Sequence, residues 1–389
     1  MRVLCVSTDY PPHREGGYEL KCASFVDHLR RQGHDVRVLA ASGTGTTAEP
    51  GDGVHRDLVR FPVCPRPTSA VAAWHGERRN AAALTRHLRA FRPDVVSWWR
   101  LGELSMSLVA RAEAPSVGVV CDPWMLDGPR RDPWARRRGA GFRAAGRWLF
   151  VSSDLRRRVL AGGVALARSE VVGDGIELDR FPLAPERPWT GRLLYAGRLS
   201  PLKGVDVAVR ALARLPAGTT LDIVGTGDPG YEAELRRLVA ALGVGERVRM
   251  HGPRPPASIA RVMADADAVL FPVRWAEPWG RVPLEAMATG RPVVATGLGG
   301  SAEHLRHEDN ALLVAPDDPG ALAAAVARLA TDPALRARLR QAGRATAERH
   351  PIGRAHEAAR VALEEEAALS APRPRAGAPG AGRRARGRA

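Results

Sequence analysis

The sequence has little of what marks a secreted, membrane-spanning or metal-bound protein. Its four cysteines, Cys5, Cys22, Cys64 and Cys121, are scattered, and none belongs to a CxxC or zinc-binding spacing. No apolar run approaches the ~18 residues that cross a bilayer, and the run after Met1 is too short for a signal peptide. These absences predict a reduced, cytoplasmic protein.

The chain has a net charge of +16, and most of the excess of basic over acidic residues lies in two segments. The segment from Arg130 to Arg158 contains ten arginines and two aspartates, and Ser370–Ala389 contains six arginines and no acidic residue. The remainder is nearly neutral, so a uniformly basic nucleic-acid-binding protein is not expected. The final segment lacks apolar periodicity, which favours a disordered, solvated tail over a surface for anionic lipid or nucleic acid.

The segment Arg130–Arg158 also contains Trp134, Phe142 and Trp148. Arginines mixed with aromatic residues are typical of a surface that contacts anionic lipid, here at the inner membrane face, or an anionic acceptor. The glycines of the segment weaken any amphipathic helix, so a solvated basic loop is an equal alternative.

Short apolar strands alternate with amphipathic helices along both halves of the chain. In the first half the predicted strands are Val3–Ser7, Asp35–Ala40, Asp94–Trp98, Ser116–Cys121, Trp148–Ser152 and Glu170–Gly175. In the second half they are Leu193–Gly197, Leu221–Gly225, Val248–Gly252, Ala268–Pro272, Pro292–Thr296 and Ala311–Ala315. This alternation predicts an α/β fold with two doubly wound, Rossmann-like domains that face each other across a cleft.

Composition suggests where these domains begin and end. The proline-rich run Phe181–Thr190 fits a linker, so we expect an acceptor-side domain over residues 1–182 and a donor domain over 183–351. A long helix over Ile352–Ser370 would end the folded part and could pack back on the first domain. Residues 371–389 would form the disordered tail.

The most informative stretch is EPWGRVPLE, from Glu277 to Glu285. Its first carboxylate lies in a Pro/Gly-interrupted loop, and its second lies inside a predicted helix whose first turn accommodates Pro283. The helix N-terminus suits an anion such as a diphosphate, and the two carboxylates suit sugar hydroxyls. The alternative is an ordinary loop-to-helix junction with a capping glutamate.

Three glycine-rich segments follow predicted strands. Gly16 and Gly17 precede a helix, where backbone N–H groups can approach a phosphate closely. Arg198 and Lys203, in AGRLSPLKG, offer a planar fork and a point charge for a diphosphate. The segment VGTGDPGYE at Gly225 lacks the full dinucleotide-binding spacing. Each segment alone is also explained by a surface loop.

Taken together, these residues resemble the family-4 retaining glycosyltransferases of the GT-B fold, also called group 1 glycosyltransferases. The resemblance runs in order along nearly the whole folded chain. Its motifs are PPHREGGYEL, RRQGHDVRVL, FVSSDLRRRVL, VVGDGIELDRF, AGRLSPLKGVDVAVRAL, VGTGDPGYEAELRRL and EPWGRVPLEAMATGRPVVAT.

This resemblance implies a nucleotide-sugar donor, with a uridine, guanosine or adenosine diphosphate, held mostly by the second half. Arg198 and Lys203 would bind the diphosphate and stabilise the leaving group, and Glu277 would contact the donor sugar. The other implied donor-binding residues are Gly16, Gly17, Gly225, Arg254, Gly280, Arg281, Val282 and Glu285. The acceptor would be a sugar, a lipid or a small molecule. The resemblance implies no required metal or other cofactor, and the sequence has no DxD-like acidic pair before a strand end.

The chain departs from the family pattern at Cys121. Many relatives end this strand in His-Asp, whereas this chain has Cys121-Asp122. A thiol replaces an imidazole donor poorly, and apolar surroundings raise the pKa of a thiol. We expect a working enzyme in which Asp122 or the diphosphate takes the acceptor proton. The alternatives are a non-catalytic nucleotide-sugar-binding relative and a basic protein that binds anionic surfaces.

Overall fold

The computed structural model describes residues 1–12, 16–42, 53–60, 70–104, 107–126 and 141–370. The predicted tail, 371–389, and residues 130–140 of the basic segment lie outside these ranges. In the described part of the chain, no helix is long and apolar enough to cross a membrane.

The first half forms a seven-stranded parallel sheet in the order β3-β2-β1-β4-β5-β6-β7. Its strands are β1 (Arg2–Ser7), β2 (Asp35–Ala41), β3 (Val54–Leu58), β4 (Val95–Trp98), β5 (Ser116–Val120), β6 (Arg147–Phe150) and β7 (Ser169–Val171). The helices described between them are α1 (Gly17–Arg31), α2 (Ala70–Phe91), α3 (Ser107–Arg111) and α4 (Ser153–Ala161). Residues 3–6 of β1 are fully buried, as expected for a central parallel strand that is covered on both faces.

The second half forms a six-stranded parallel sheet in the order β10-β9-β8-β11-β12-β13. Its strands are β8 (Arg192–Ala196), β9 (Thr220–Val224), β10 (Val248–Met250), β11 (Ala268–Phe271), β12 (Val293–Ala295) and β13 (Leu312–Leu313). Its helices are α5 (Val205–Leu212), α6 (Pro229–Ala241), α7 (Pro256–Ala264), α8 (Arg281–Ala288), α9 (Pro319–Thr331) and α10 (Pro333–Arg349). Together the two sheets confirm the predicted α/β fold class.

In each sheet the strand order reverses at one place, between β1 and β4 and between β8 and β11. Ligands of open α/β sheets bind beyond the carboxyl ends of the strands at such a reversal. Helix α11 (Ile352–Ser370) returns to the first sheet and packs on β4, β5 and α1. The linker run lies between the two sheets, and the domain boundary at 182/183 remains our proposal.

Some elements differ from the prediction in extent. The strand expected over Glu170–Gly175 pairs only as far as Val171, and the one expected over Ala311–Ala315 pairs at two residues. Strand β3 was not predicted, because its three central residues are polar in the sequence VHRDL. Since β3 is an edge strand, its sequence lacks the continuous apolar run of the central strands.

Candidate active site

The Glu277 carboxylate joins two loops at the carboxyl edge of the second sheet. Its Oε2 accepts hydrogen bonds from Lys203 Nζ at 2.6 Å and from Trp275 Nε1 at 2.7 Å. Lys203 lies in the loop after β8, and Glu277 lies in the loop after the neighbouring strand β11. The Lys203 side chain is 19% exposed, so a ligand in the cleft can reach its charge.

A glycine pair fixes the position of the Glu277 loop. Glu277 and Gly299 form an isolated parallel bridge, and the Gly300 N–H donates to the Glu277 carbonyl at 2.7 Å. A Cβ at Gly299, whose φ is +68°, would lie 2.6 Å from that carbonyl oxygen. A Cβ at Gly300 would lie 2.0 Å from the Pro278 carbonyl oxygen. Larger residues would therefore push the Glu277 loop out of place.

Arg198 faces the first half of the chain. The Tyr195 hydroxyl donates to the Arg198 carbonyl at 2.8 Å, which fixes the turn after β8. A Cβ at Gly16 would lie 3.3 Å from Arg198 Nη2, so the exposed guanidinium and the start of α1 border the same space. A Cβ at Gly17 would meet nothing within 4 Å. The first N–H groups of α1 have no partner inside the helix and can face an anion.

The N-terminus of α8 supplies a second set of N–H groups. Gly280 precedes this helix with φ +85°, and the half-buried Arg281 and Val282 are its first two residues. Their N–H groups have no intrahelical partner and carry the positive end of the helix dipole. Partial burial raises the pKa of the Glu285 carboxyl, while Arg281, 3.8 Å away, acts in the opposite direction.

Two of the predicted donor-binding residues have other contacts. The Gly225 N–H donates to the Gly252 carbonyl at 2.9 Å. A Cβ at Gly225 would lie 1.8 Å from the Gly197 carbonyl oxygen, so packing between the ends of β8 and β9 requires glycine there. The exposed Arg254 contacts the ring of His251 at 3.3 Å. A donor contact remains a prediction for Gly225 and Arg254.

Charged side chains also line the carboxyl edge of the first sheet. They include Asp9, Glu19, Arg60, Arg100, Glu103 and Asp122. Arg100 lies 3.1 Å from Glu19 and 3.7 Å from Asp122, and Arg60 pairs with Asp9. Burial raises the pKa of Asp122, and Arg100 and Arg198 partly offset this effect. Asp122 thus faces the cations of both halves.

Sequence analysis missed a buried ion pair beneath this edge. Lys21 of α1 lies 3.2 Å from Asp174, with side-chain exposures of 4% and 6%. Lys21 also borders Cys121, whose thiol pKa is raised to about 12 by burial. A signal was present, because Tyr18, Lys21, Cys22 and Phe25 follow the spacing of one buried helix face.

The described arginines at the end of the basic segment already have partners. Arg147 pairs with Glu170 and Glu365, and Arg156 donates to the Ser169 hydroxyl. Arg158 reaches across the cleft to the Ala276 carbonyl at 3.0 Å, next to Glu277. Of the aromatic residues expected on an anionic-surface contact, Phe142 and Trp148 are buried in the core. Residues 130–140, which include Trp134, lie outside the described ranges, and the contact stays a prediction.

Two family models match consecutive parts of the chain. Residues 16–180 match the model described as Glycosyltransferase Family 4, and residues 185–346 match Glycosyl transferases group 1. Glycogen synthase of Mycobacterium tuberculosis is 31% identical over 382 residues, which cover 88% of this chain and 89% of that one. D-inositol 3-phosphate glycosyltransferase of Streptomyces griseus is 29% identical, covering 86% and 81%.

Solved structures share the fold. Sucrose-phosphate synthase from Thermosynechococcus elongatus has a TM-score of 0.78 at 22% identity, covering 94% of this chain and 99% of that one. Anabaena HepE, solved with UDP and glucose, has a TM-score of 0.76 at 23% identity, covering 94% and 100%. With both halves matched in order and a relative aligned over nearly its whole length, the chain belongs to the family-4, group 1 retaining glycosyltransferases, which have the GT-B fold and use nucleotide-sugar donors.

Proposed function

We propose that this enzyme transfers a hexosyl group from a nucleoside diphosphate hexose to a neutral sugar hydroxyl, with retention and without a metal. The observation that carries the proposal is the Lys203–Glu277 contact, 2.6 Å long, which lies just before the N-terminus of α8. It supports a binding mode in which the donor sugar contacts the carboxylate while its diphosphate meets the cations and the helix N-terminus.

The reaction explains why cations are needed at this edge of the sheet. Breaking the anomeric C–O bond builds oxocarbenium character on the sugar and negative charge on the departing diphosphate. Arg198, Lys203 and the α8 N-terminus would stabilise that charge, as preorganised donors do in other active sites. These groups would do the work that a divalent metal does in other transferases.

In this arrangement the proton of the attacking hydroxyl can pass to a diphosphate oxygen or to Asp122. Burial raises the pKa of Asp122, which makes its carboxylate a stronger base than an exposed aspartate. Cys121 is a poor candidate, since its thiol stays protonated with a pKa of about 12.

Carboxylates at the acceptor side can bind a sugar acceptor. Of the six charged side chains named above, four are carboxylates and two, Arg60 and Arg100, are guanidiniums. Both guanidiniums are already paired with carboxylates. Sugar hydroxyls donate readily to carboxylates, which supports a sugar acceptor. The glycogen synthase relative supports a glucan-type acceptor.

Donor turnover measured by mass spectrometry tests this proposal. The full chain is incubated with UDP-, ADP- or GDP-glucose and either a malto-oligosaccharide or D-inositol 3-phosphate, with and without EDTA. We expect transfer to the oligosaccharide, unchanged by EDTA. Proton NMR of the product should show that the anomeric configuration of the donor is retained. Glu277→Gln should abolish it, and Glu186→Gln, a change at an exposed linker residue, should not.

Three results would contradict parts of the proposal. Transfer only to inositol phosphate would overturn the neutral acceptor, and loss of transfer in EDTA would overturn the metal-free reaction. Full activity of the Glu277→Gln variant would overturn the assigned site. Absence of turnover with every donor and acceptor would count against the reaction as a whole.

A further inference from the structure

We propose that His55, Asp57 and His87 form a binding site for a divalent transition-metal ion of the zinc type. One ligand atom from each residue lies within 4.8 Å of the other two. Two imidazoles and one carboxylate are a ligand set that zinc accepts, with a water molecule completing a tetrahedron. The site belongs to the edge of the first sheet and is distinct from the donor site.

The fold places these three side chains on one side of the sheet. His55 and Asp57 are two residues apart on β3, so their side chains project to the same face. Helix α2 packs on β3 and brings His87, which is 4% exposed, over that face. The intervening Arg56 points the other way and donates to the Tyr10 carbonyl at 3.1 Å. The cluster therefore faces α2, away from the Tyr10 loop.

A buried amide holds α2 in register with the end of β3. The fully buried Asn80 accepts from the Val59 N–H at 2.7 Å and donates to the Val59 carbonyl at 2.8 Å. These two hydrogen bonds set the height of His87 above His55 and Asp57. A site held on a strand and a helix in this way is preorganised for its ligand.

A hydrogen bond joins two of the three residues, and the third lies close to them. His87 Nε2 lies 2.8 Å from Asp57 Oδ2, and the rings of His55 and His87 are 4.7 Å apart. Zinc–ligand bonds of about 2.0–2.2 Å place tetrahedral donors about 3.3 Å apart. A metal ion would take the place of the shared proton, which leaves to solvent, with small movements of the side chains.

Two arginines compete with the metal ion for these ligands. Arg86 Nη2 lies 2.7 Å from Asp57 Oδ2, and Arg37 Nη1 lies 3.5 Å from His87 Nδ1. An imidazole that binds metal through Nε2 carries its proton on Nδ1, so Arg37 must turn away when metal binds. The Arg86 side chain is 62% exposed and is free to move. We therefore expect moderate affinity, which increases when either arginine loses its charge.

Cobalt titration of the untagged full chain tests the site, because Co²⁺ in a tetrahedral site has intense visible ligand-field bands. We expect one equivalent of Co²⁺ to produce these bands and Zn²⁺ to displace it. His87→Ala and His55→Gln should each weaken binding by about tenfold or more. Arg86→Gln should tighten binding, and His75→Ala, at an exposed histidine on α2, should leave it unchanged.

A second readout separates metal binding from misfolding. Saturating Zn²⁺ should raise the Tm of the wild-type chain and of His75→Ala, because an ion that binds only the folded state stabilises it. It should raise the Tm much less in His55→Gln, whose folding is checked by circular dichroism. Equal Co²⁺ affinity in the wild type and the His55 and His87 variants, or the weak bands of an octahedral ion, would overturn the proposal.

Discussion

The Lys21 ammonium lies 3.2 Å from the Asp174 carboxylate, and more than nine-tenths of each side chain is buried. The pair joins α1, which begins at the predicted phosphate-binding glycines, to the segment after β7 that leads towards the second sheet. A buried ion pair need not increase stability over an apolar pair, but loss of one partner leaves the other charge uncompensated.

Lys21→Met should therefore lower the free energy of unfolding by about 3–5 kcal/mol. The double variant Lys21→Met/Asp174→Asn should recover much of that loss, because it removes both charges. Urea denaturation of the wild type, the two single variants and the double variant completes the cycle. Additive losses in the double variant would show that the two side chains do not interact.

The contacts of Glu277 predict a graded series of activities. Lys203→Met removes the charge that holds Glu277 and faces the diphosphate, and should lower kcat by about 10²–10³-fold. Trp275→Phe removes one hydrogen bond to the same oxygen and should cost about 1 kcal/mol, or roughly fivefold. Steady-state kinetics with saturating acceptor measure both. A larger loss in Trp275→Phe than in Lys203→Met would reverse the assigned roles.

Features of the fold and of the site could be predicted from the sequence when the residues that form them lie close together along the chain. Apart from β3, the strands of both sheets were predicted, because apolar runs such as that of β1 are local patterns. The E-x7-E stretch and the Gly16-Gly17 turn were found for the same reason. The contact of Lys21 with Asp174 joins residues more than 150 positions apart. The local pattern of α1 indicates that Lys21 is buried but does not identify its partner.

Residues of the site were missed for the same physical reason. Trp275 is two residues from Glu277, but its role depends on the direction of its indole N–H, which the fold of the loop decides. His87 meets His55 only because α2 packs on an edge strand that was not predicted. Gly225 was predicted as a ligand contact, whereas its lack of a side chain is already required by its contact with Gly197.

Gly17→Ala separates the effects of a side chain on folding and on donor binding. A Cβ at this position meets nothing within 4 Å and lies at the first residue of α1, so stability should stay the same or rise by about 0.5–1 kcal/mol. If the donor diphosphate lies against this glycine, the added methyl group should raise the KM for the donor. Thermal denaturation and donor-dependent kinetics check the two effects, and an unchanged KM would remove Gly17 from the donor site.

His356 should make the protein sensitive to acid. Burial lowers the pKa of its imidazole to about 3, with smaller contributions from Lys21 and His28, so the folded chain keeps it neutral. Since the unfolded chain takes up this proton near pH 6.5, the stability present above that pH is lost progressively as the pH falls, by up to about 1.4 kcal/mol per pH unit.

His356→Phe removes that proton, and the ring can pack on Phe25, which lies 5.7 Å from the imidazole. We would measure the free energy of unfolding in urea between pH 6 and pH 4. Its slope against pH should then be smaller than in the wild type by the contribution of one proton, about 1.4 kcal/mol per pH unit. His75→Phe, the same substitution at an exposed histidine of α2, serves as the matched control. A wild-type slope in His356→Phe would contradict this prediction, because it would show that His356 takes up no proton on unfolding in this pH range.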